Sequence, residues 1–154
     1  MRIVHATLQH VPPLARLMAA SPLLRRYRVT ERSARRNLLA ALRARDIVLT
    51  AVEGDEVVGL AWLVPARALD RAAYLRLLLV ANAHQSRGVG AALLARGERL
   101  SREARCRHVV MLVTKTNRRA RSFYERHGYA HVGDLSGYVR RGIAESLYVK
   151  SWRT

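Results

Sequence analysis

Gln85-Ser86-Arg87-Gly88-Val89-Gly90-Ala91 stands between two segments of different periodicity. Upstream, Tyr74-Leu75-Arg76-Leu77-Leu78-Leu79-Val80 is a nearly unbroken apolar run, fit for a central strand covered on both faces. Downstream, Val89, Leu93 and Leu100 recur at helical spacing, which predicts a helix from the glycines to near Arg105. A buried strand that feeds a helix through a glycine-containing turn presents free N–H groups and the positive dipole end at one point. That combination suits a pyrophosphate. Two familiar phosphate loops do not fit: no Gly-Lys-Ser/Thr follows, and Leu93 stands where a dinucleotide fingerprint needs Gly or Ala. By itself, a Gly-x-Gly such as Gly88-Val89-Gly90 is an ordinary tight turn more often than a site.

Outward from this centre the chain alternates strands and helices. Before it, Arg2 to Thr7 alternates with period two, Pro12-Pro13 opens a helix that Ser21-Pro22 stops, and Thr30 caps a second helix with Ala34, Leu38, Ala41 and Leu42 inward. Ile47–Val52 and Val57–Val64 flank Glu53-Gly54-Asp55-Glu56 as a hairpin, and a polar loop spans Arg67 to Arg71. After it, His108–Thr114 reads as a buried strand and Asn117–His127 as a helix closed by Gly128. Tyr129–Asp134 and Glu145–Trp152 form the last two strands. The order β-α-α-β-β-β-α-β-α-β-β predicts an α/β domain over residues 1–154, with a mixed central sheet of about six or seven strands flanked by helices.

Half the residues are apolar, enough for a core without disulfides, and Cys106 is the lone cysteine, as suits a cytoplasmic protein. The N-terminal stretch breaks its apolar run too early for a signal peptide, and no run of ~18 apolar residues offers a membrane span, so a soluble protein without a membrane partner is expected. The net charge of +17 raises nucleic acid as a partner. Against it, the cationic residues are Arg except Lys115 and Lys150, they are spread along the chain, and aromatics for base stacking are few. A solvated basic surface that attracts polyanionic small ligands is the reading adopted. A nucleic-acid- or ribosome-binding module remains the non-enzyme alternative.

Gln85, Gly88 and Gly90 fill the pattern Gln/Arg-x-x-Gly-x-Gly/Ala, and this segment resembles the acyl-CoA loop of the GNAT superfamily of N-acyltransferases. A second segment, Asn117-Arg118-Arg119-Ala120-Arg121-Ser122-Phe123-Tyr124-Glu125-Arg126-His127-Gly128-Tyr129, resembles that family's Asn-x-x-Ala-x-x-Phe-Tyr-x-x-x-Gly-Phe/Tyr motif in the expected order. The resemblance implies an acetyl-CoA-dependent N-acetyltransferase in which the amine attacks directly. It implies that Leu79, Val80 and Ala81 pair with the pantetheine arm. Ser86, Arg87, Gly88, Val89, Gly90 and Ala91 would hold the pyrophosphate through backbone N–H groups, beside Gln85. Asn117 would hydrogen-bond the cofactor arm, and Tyr124 would protonate the leaving thiolate. A phenol of pKa ~10 stays protonated at neutral pH and can donate to a thiolate of pKa ~8.5.

Plain structural readings stand beside these. Tyr124 and Phe123 also suit a core, Asn117 a helix cap, and Arg118, Arg119 and Arg121 a solvated helix face sooner than a 3′-phosphate. Cys106 and His108 are two apart, but a lone cysteine beside a buried strand is usually a small hydrophobe, so no thiol nucleophile is expected. His127 and His131 are separated by a helix-ending Gly128, and no metal is expected. On the acceptor side many relatives place a glutamate base eleven positions before the loop's Gln/Arg, where this chain has Tyr74. By period-two alternation Tyr74, Arg76 and Leu78 share a face, so Tyr74 and Arg76 are candidate acceptor-binding residues. Arg76 would favour a carboxylated, amino-acid-like small-molecule amine, with proton removal falling to water or to an acid from elsewhere, such as Glu31 or Asp70; solvent along a cofactor edge is its other reading. A protein N-terminal or lysine acetyltransferase is the nearer alternative, and homodimerisation is left open.

Overall fold

Polar residues set the helix starts, and apolar stripes then fix which side of the sheet each helix covers. The computed structural model describes residues 1–152; Arg153 and Thr154, the last two of the expected domain, lie outside the described residues. After β1 (Arg2–His5), α1 (Val11–Ala20) carries Pro12 and Pro13 in its first turn. Ser21 ends α1, but it also caps a further short helix, α2 (Pro22–Arg26), by accepting from the Leu24 N–H. The expected stop is thus also a restart, because Pro at a first helical position costs no backbone bond. In α3 (Glu31–Arg43) Thr30 accepts from the Ser33 N–H as anticipated, and Ala34, Leu38 and Ala41 are buried.

The hairpin follows as β2 (Ile47–Glu53) and β3 (Glu56–Pro65). Left-handed backbone at Leu69, Asp70 and Arg71 turns the chain into β4 (Ala72–Val80). Then come α4 (Val89–Glu103), β5 (His108–Thr114), α5 (Arg118–Arg126), β6 (Ala130–Ser136) and β7 (Ala144–Ser151). The seven strands form one sheet in the order β1-β2-β3-β4-β5-β7-β6. Every neighbouring pair is antiparallel except β4 with β5.

Each face of this sheet carries its own core. α1 and α3 cover Val48, Leu60 and Trp62, while α4 and Tyr124 of α5 pack with Leu49, Leu63, Val109 and Met111 on the other face. α4 lies close against β3. A Cβ on Gly97 would stand 2.7 Å from Leu63 Cδ1, and one on Gly59 would stand 2.8 Å from Leu93 Cδ1.

β4 departs from a regular central strand in two ways. Trp62 pairs with Leu77 and Leu63 with Leu75, which leaves Arg76 as the extra residue of a bulge. The bulge shifts the alternation by one: Leu75 and Leu78 pack on the α4 side, Leu77 and Leu79 on the α1–α3 side. The expected common face of Tyr74, Arg76 and Leu78 is corrected accordingly. The second departure is the parallel pairing of β4 with β5, which covers only Ala72–Tyr74 against His108–Val110. Beyond those residues the two strands part.

Candidate active site

Where β4 and β5 part, two cavities meet. The larger, about 820 Å³, runs from Leu79, Val80 and Ala81 at the end of β4 past Gln85 and Ser86 to the start of α4 at Gly88, Gly90 and Ala91. The smaller, about 290 Å³, lies between Leu75–Leu78 of β4 and Met111–Thr114 of β5. Leu23, Leu78, Asn117, Ala120 and Tyr124 border both. The sequence candidates are therefore brought together, with two differences in detail. Val89 is buried in the core beneath Gly59 and Arg87 is exposed, and neither borders the larger cavity.

Backbone conformation gives the loop its form. Gly88 caps α4 at φ 81° and Ser86 sits at φ 62°, both left-handed. Glycine meets no steric penalty there, whereas another L-residue loses about 1–2 kcal/mol. The first-turn N–H groups of α4 have no partner four residues back, so they stay available to an anion at the positive end of the helix. Arg119, which also borders the larger cavity, holds this loop, with Nη1 donating to Gln85 Oε1 at 2.6 Å and Nη2 to Ser86 Oγ at 3.2 Å. Gln85 Nε2 in turn donates to the Val80 carbonyl at 3.2 Å. Arg121 donates to the Tyr148 hydroxyl and the Lys115 carbonyl. Neither arginine is the merely solvated side chain that helix periodicity suggested.

Asn117 caps α5, its Oδ1 accepting from the Ala120 N–H at 3.1 Å, while its side chain borders both cavities. Tyr124 is 8% exposed. Its ring is held edge-on by Phe123 at 5.2 Å and Tyr129 at 5.7 Å between centroids. Burial raises its phenol above the ordinary range for tyrosine, which keeps the proton in place as a donor. Behind it, Tyr129 donates to Glu98 Oε1 at 2.8 Å, and Lys150 Nζ lies 2.9 Å from both oxygens of that buried carboxylate.

On the acceptor side, half-buried Tyr74 and exposed Arg76 border the smaller cavity, and the Arg76 guanidinium stacks 4.7 Å from the centre of the Trp62 ring. Glu31 and Asp70 border neither cavity. Glu31 pairs with Arg35, and Asp70 with Arg107 and His108. The carboxylate that does border the smaller cavity is Glu145 of β7, joined by Tyr27 and Thr114. Sequence reading missed all three. Their separation along the chain hides the cluster, and Glu145 at the polar start of β7 carries no local signal.

Cys106 is buried and its thiol is pushed up by burial, while His108 bonds Ser151 at the opposite end of β5 from the cavities. His127 bonds the Phe123 carbonyl and His131 bonds Asp134, so the two do not converge. Among the described residues no group of three His, Cys, Asp or Glu is arranged to hold a metal, and no helix is long and apolar enough to cross a membrane.

A parted parallel strand pair, a helix start with free N–H groups at one end and a buried phenol at the junction make this the candidate site. The chain belongs to the Acetyltransferase (GNAT) family, whose pattern matches residues 16–129, and it is an acyltransferase. No curated protein gives a significant match to the sequence. Among solved structures, a ribosomal-protein-alanine N-acetyltransferase from Brucella melitensis is 20% identical with a TM-score of 0.81, covering 99% of this chain and 100% of its own. An aminoglycoside 6′-N-acetyltransferase complexed with coenzyme A is 16% identical with a TM-score of 0.82, covering 98% and 97%. Ard1 from Thermoplasma volcanium is 20% identical with a TM-score of 0.83, covering 99% and 98%. At these identities the likeness is one of fold.

Proposed function

We propose that the protein transfers the acetyl group of acetyl-CoA to the nitrogen of a small, amino-acid-like amine. The observation that carries this reading is the junction: one phenol, Tyr124, borders both the cavity beside the α4 cradle and the smaller cavity beyond it. In this reading acetyl-CoA occupies the larger cavity. Its phosphates meet the N–H groups from Ser86 to Ala91, and its arm meets the free edge of β4 at Leu79, Val80 and Ala81, beside Asn117. The end of β4 pairs with β3 on one side only, and its other edge, parted from β5, fits that role because such an edge has backbone groups to offer.

The amine enters through the smaller cavity and attacks the carbonyl carbon, the C–S bond breaks, and Tyr124 delivers its proton to the departing sulfur. Arg76 at the rim offers a planar fork of donors suited to a carboxylate on the acceptor. The aromatic and aliphatic walls formed by Trp62, Leu77 and Met111 suit the remainder of a small molecule. Radiolabelled acetyl-CoA offered with alkylamines, L-amino acids, aminoglycosides and short peptides tests the proposal. Labelled product with amino-acid-like amines is expected. Label confined to peptide N-termini would reassign the acceptor, and label on none would remove the transferase reading.

A further inference from the structure

We infer that Glu145 is the acceptor-side base: its Oε2 holds the incoming ammonium and takes its proton, while Tyr27 fixes Oε1. This rests on the acetyl-transfer reading above and assigns that reaction a residue from a strand where neither sequence motif lies.

Glu145 sits on β7 opposite Thr114, at the C-terminal end of β5. It is 2% exposed, yet its side chain borders the smaller cavity, and it is the sole carboxylate among the described residues that border either cavity. The Tyr27 hydroxyl donates to Glu145 Oε1 and stands 2.7 Å from Thr114 Oγ1. Burial and the bond to Glu145 push that phenol up to about 12, so it remains a donor throughout the working range. Among the described residues Oε2 accepts no hydrogen bond, and no Lys or Arg approaches Glu145 within ion-pair distance.

That last fact is unusual in a chain with 28 Lys and Arg residues. The other deeply buried carboxylate, Glu98, has Lys150 as its partner. A buried carboxylate without a cation is costly, and a purely structural pin to Tyr27 and Thr114 could be made by Gln without that cost. The arrangement fits a charge whose counter-ion arrives with the substrate.

The proton balance closes. An alkylamine has a pKa close to that of lysine, ~10.4, so it reaches the site as an ammonium with no lone pair to use. Transfer of one proton to Glu145 Oε2 frees the lone pair, which forms the C–N bond. The C–S electrons leave with sulfur, which takes the phenolic proton of Tyr124. The second proton lost from nitrogen restores Tyr124, and Glu145 returns its proton to water.

Glu145→Gln tests the assignment, because glutamine keeps the size and the acceptor for Tyr27 but cannot take a proton. The assay uses labelled acetyl-CoA with the best amine from a panel of L-amino acids and alkylamines. The expected result is a fall of about 10²-fold or more in kcat/KM for the amine, with the KM for acetyl-CoA unchanged and the melting temperature equal to or above that of the wild type. Part of the loss should return between pH 7 and 10 as free amine accumulates. The other charged and titratable groups around the carboxylate are Tyr27 and Arg26 near α2, Tyr74 and Arg76 of β4, Tyr124 of α5 and Tyr138 of the β6–β7 loop. All are tyrosines or arginines, which do not normally titrate near neutrality. Tyr27→Phe should give a smaller loss, about tenfold, with the same pattern. Unchanged turnover in Glu145→Gln would overturn the assignment. So would equal weakening of acetyl-CoA binding and of the fold, since that marks a structural pin. A wild-type protein that binds acetyl-CoA but acetylates no amine would remove both the assignment and the transfer reading beneath it.

Discussion

Replacing Tyr124 by Phe removes a single oxygen from the place where the two cavities meet, and the surroundings allow its consequences to be separated. The ring keeps its edge-on contacts with Phe123 and Tyr129. Among the described residues the hydroxyl has no hydrogen-bond partner, so its loss orphans none of them. Stability should therefore change by less than about 1 kcal/mol. If Tyr124 protonates the departing sulfur, loss of a positioned acid should cost about 10²–10⁴ in turnover, or about 3–5 kcal/mol in the barrier. Burial raises the phenol, so in the wild type the protonated, active form persists through the ordinary tyrosine pKa of ~10, and any alkaline loss due to this group falls above it. The assay is steady-state release of free thiol at saturating acetyl-CoA, with calorimetric affinity for acetyl-CoA as the control. Turnover within threefold of wild type, or a parallel fall in affinity and turnover, would refute the reasoning.

Two further substitutions probe the acceptor rim and the buried ion pair. Arg76→Ala should raise the KM of a carboxylated acceptor about tenfold while leaving the KM for acetyl-CoA unchanged, because a charge-assisted pair at an exposed rim contributes about 1.5 kcal/mol; parallel initial-rate series in each substrate would show it. Lys150→Ala leaves the buried Glu98 carboxylate without its cation and should destabilise the fold by about 3 kcal/mol, toward the low end for broken buried pairs because Lys150 is partly solvated. Urea denaturation measures this.

The element order was legible because the periodicities are clean and the punctuation is conventional: Thr30 caps α3, Glu53-Gly54-Asp55-Glu56 turns the hairpin, and Asn117 and Gly128 bracket α5. The candidate segments at Gln85–Ala91 and around Tyr124 stood out for a related reason, since each is contiguous in sequence, and the fold brings them to the same cavity. What escaped depends on partners. The bulge at Arg76 exists only relative to β3, so period-two counting along β4 placed Leu78 on the wrong face. The short helix α2 lay behind a Ser-Pro pair whose stop and start meanings coincide. Tyr27 and Glu145 meet across 118 residues of chain, and nothing local to either names the other. Arg119 looked like one arginine among many until the fold brought it onto Gln85 and Ser86.

Isothermal titration of acetyl-CoA into wild type and Gly88→Glu asks whether acetyl-CoA rests its phosphates on the start of α4. Gly88 sits at φ 81° with no atom within 4 Å of a built Cβ, so glutamate adds backbone strain and a negative charge at the cradle without displacing a neighbour. One binding site is expected in the wild type, and at least a tenfold weaker affinity in a variant that remains folded, from like-charge repulsion at the helix N-terminus. No binding heat in the wild type, or equal affinity in the two proteins, would contradict it.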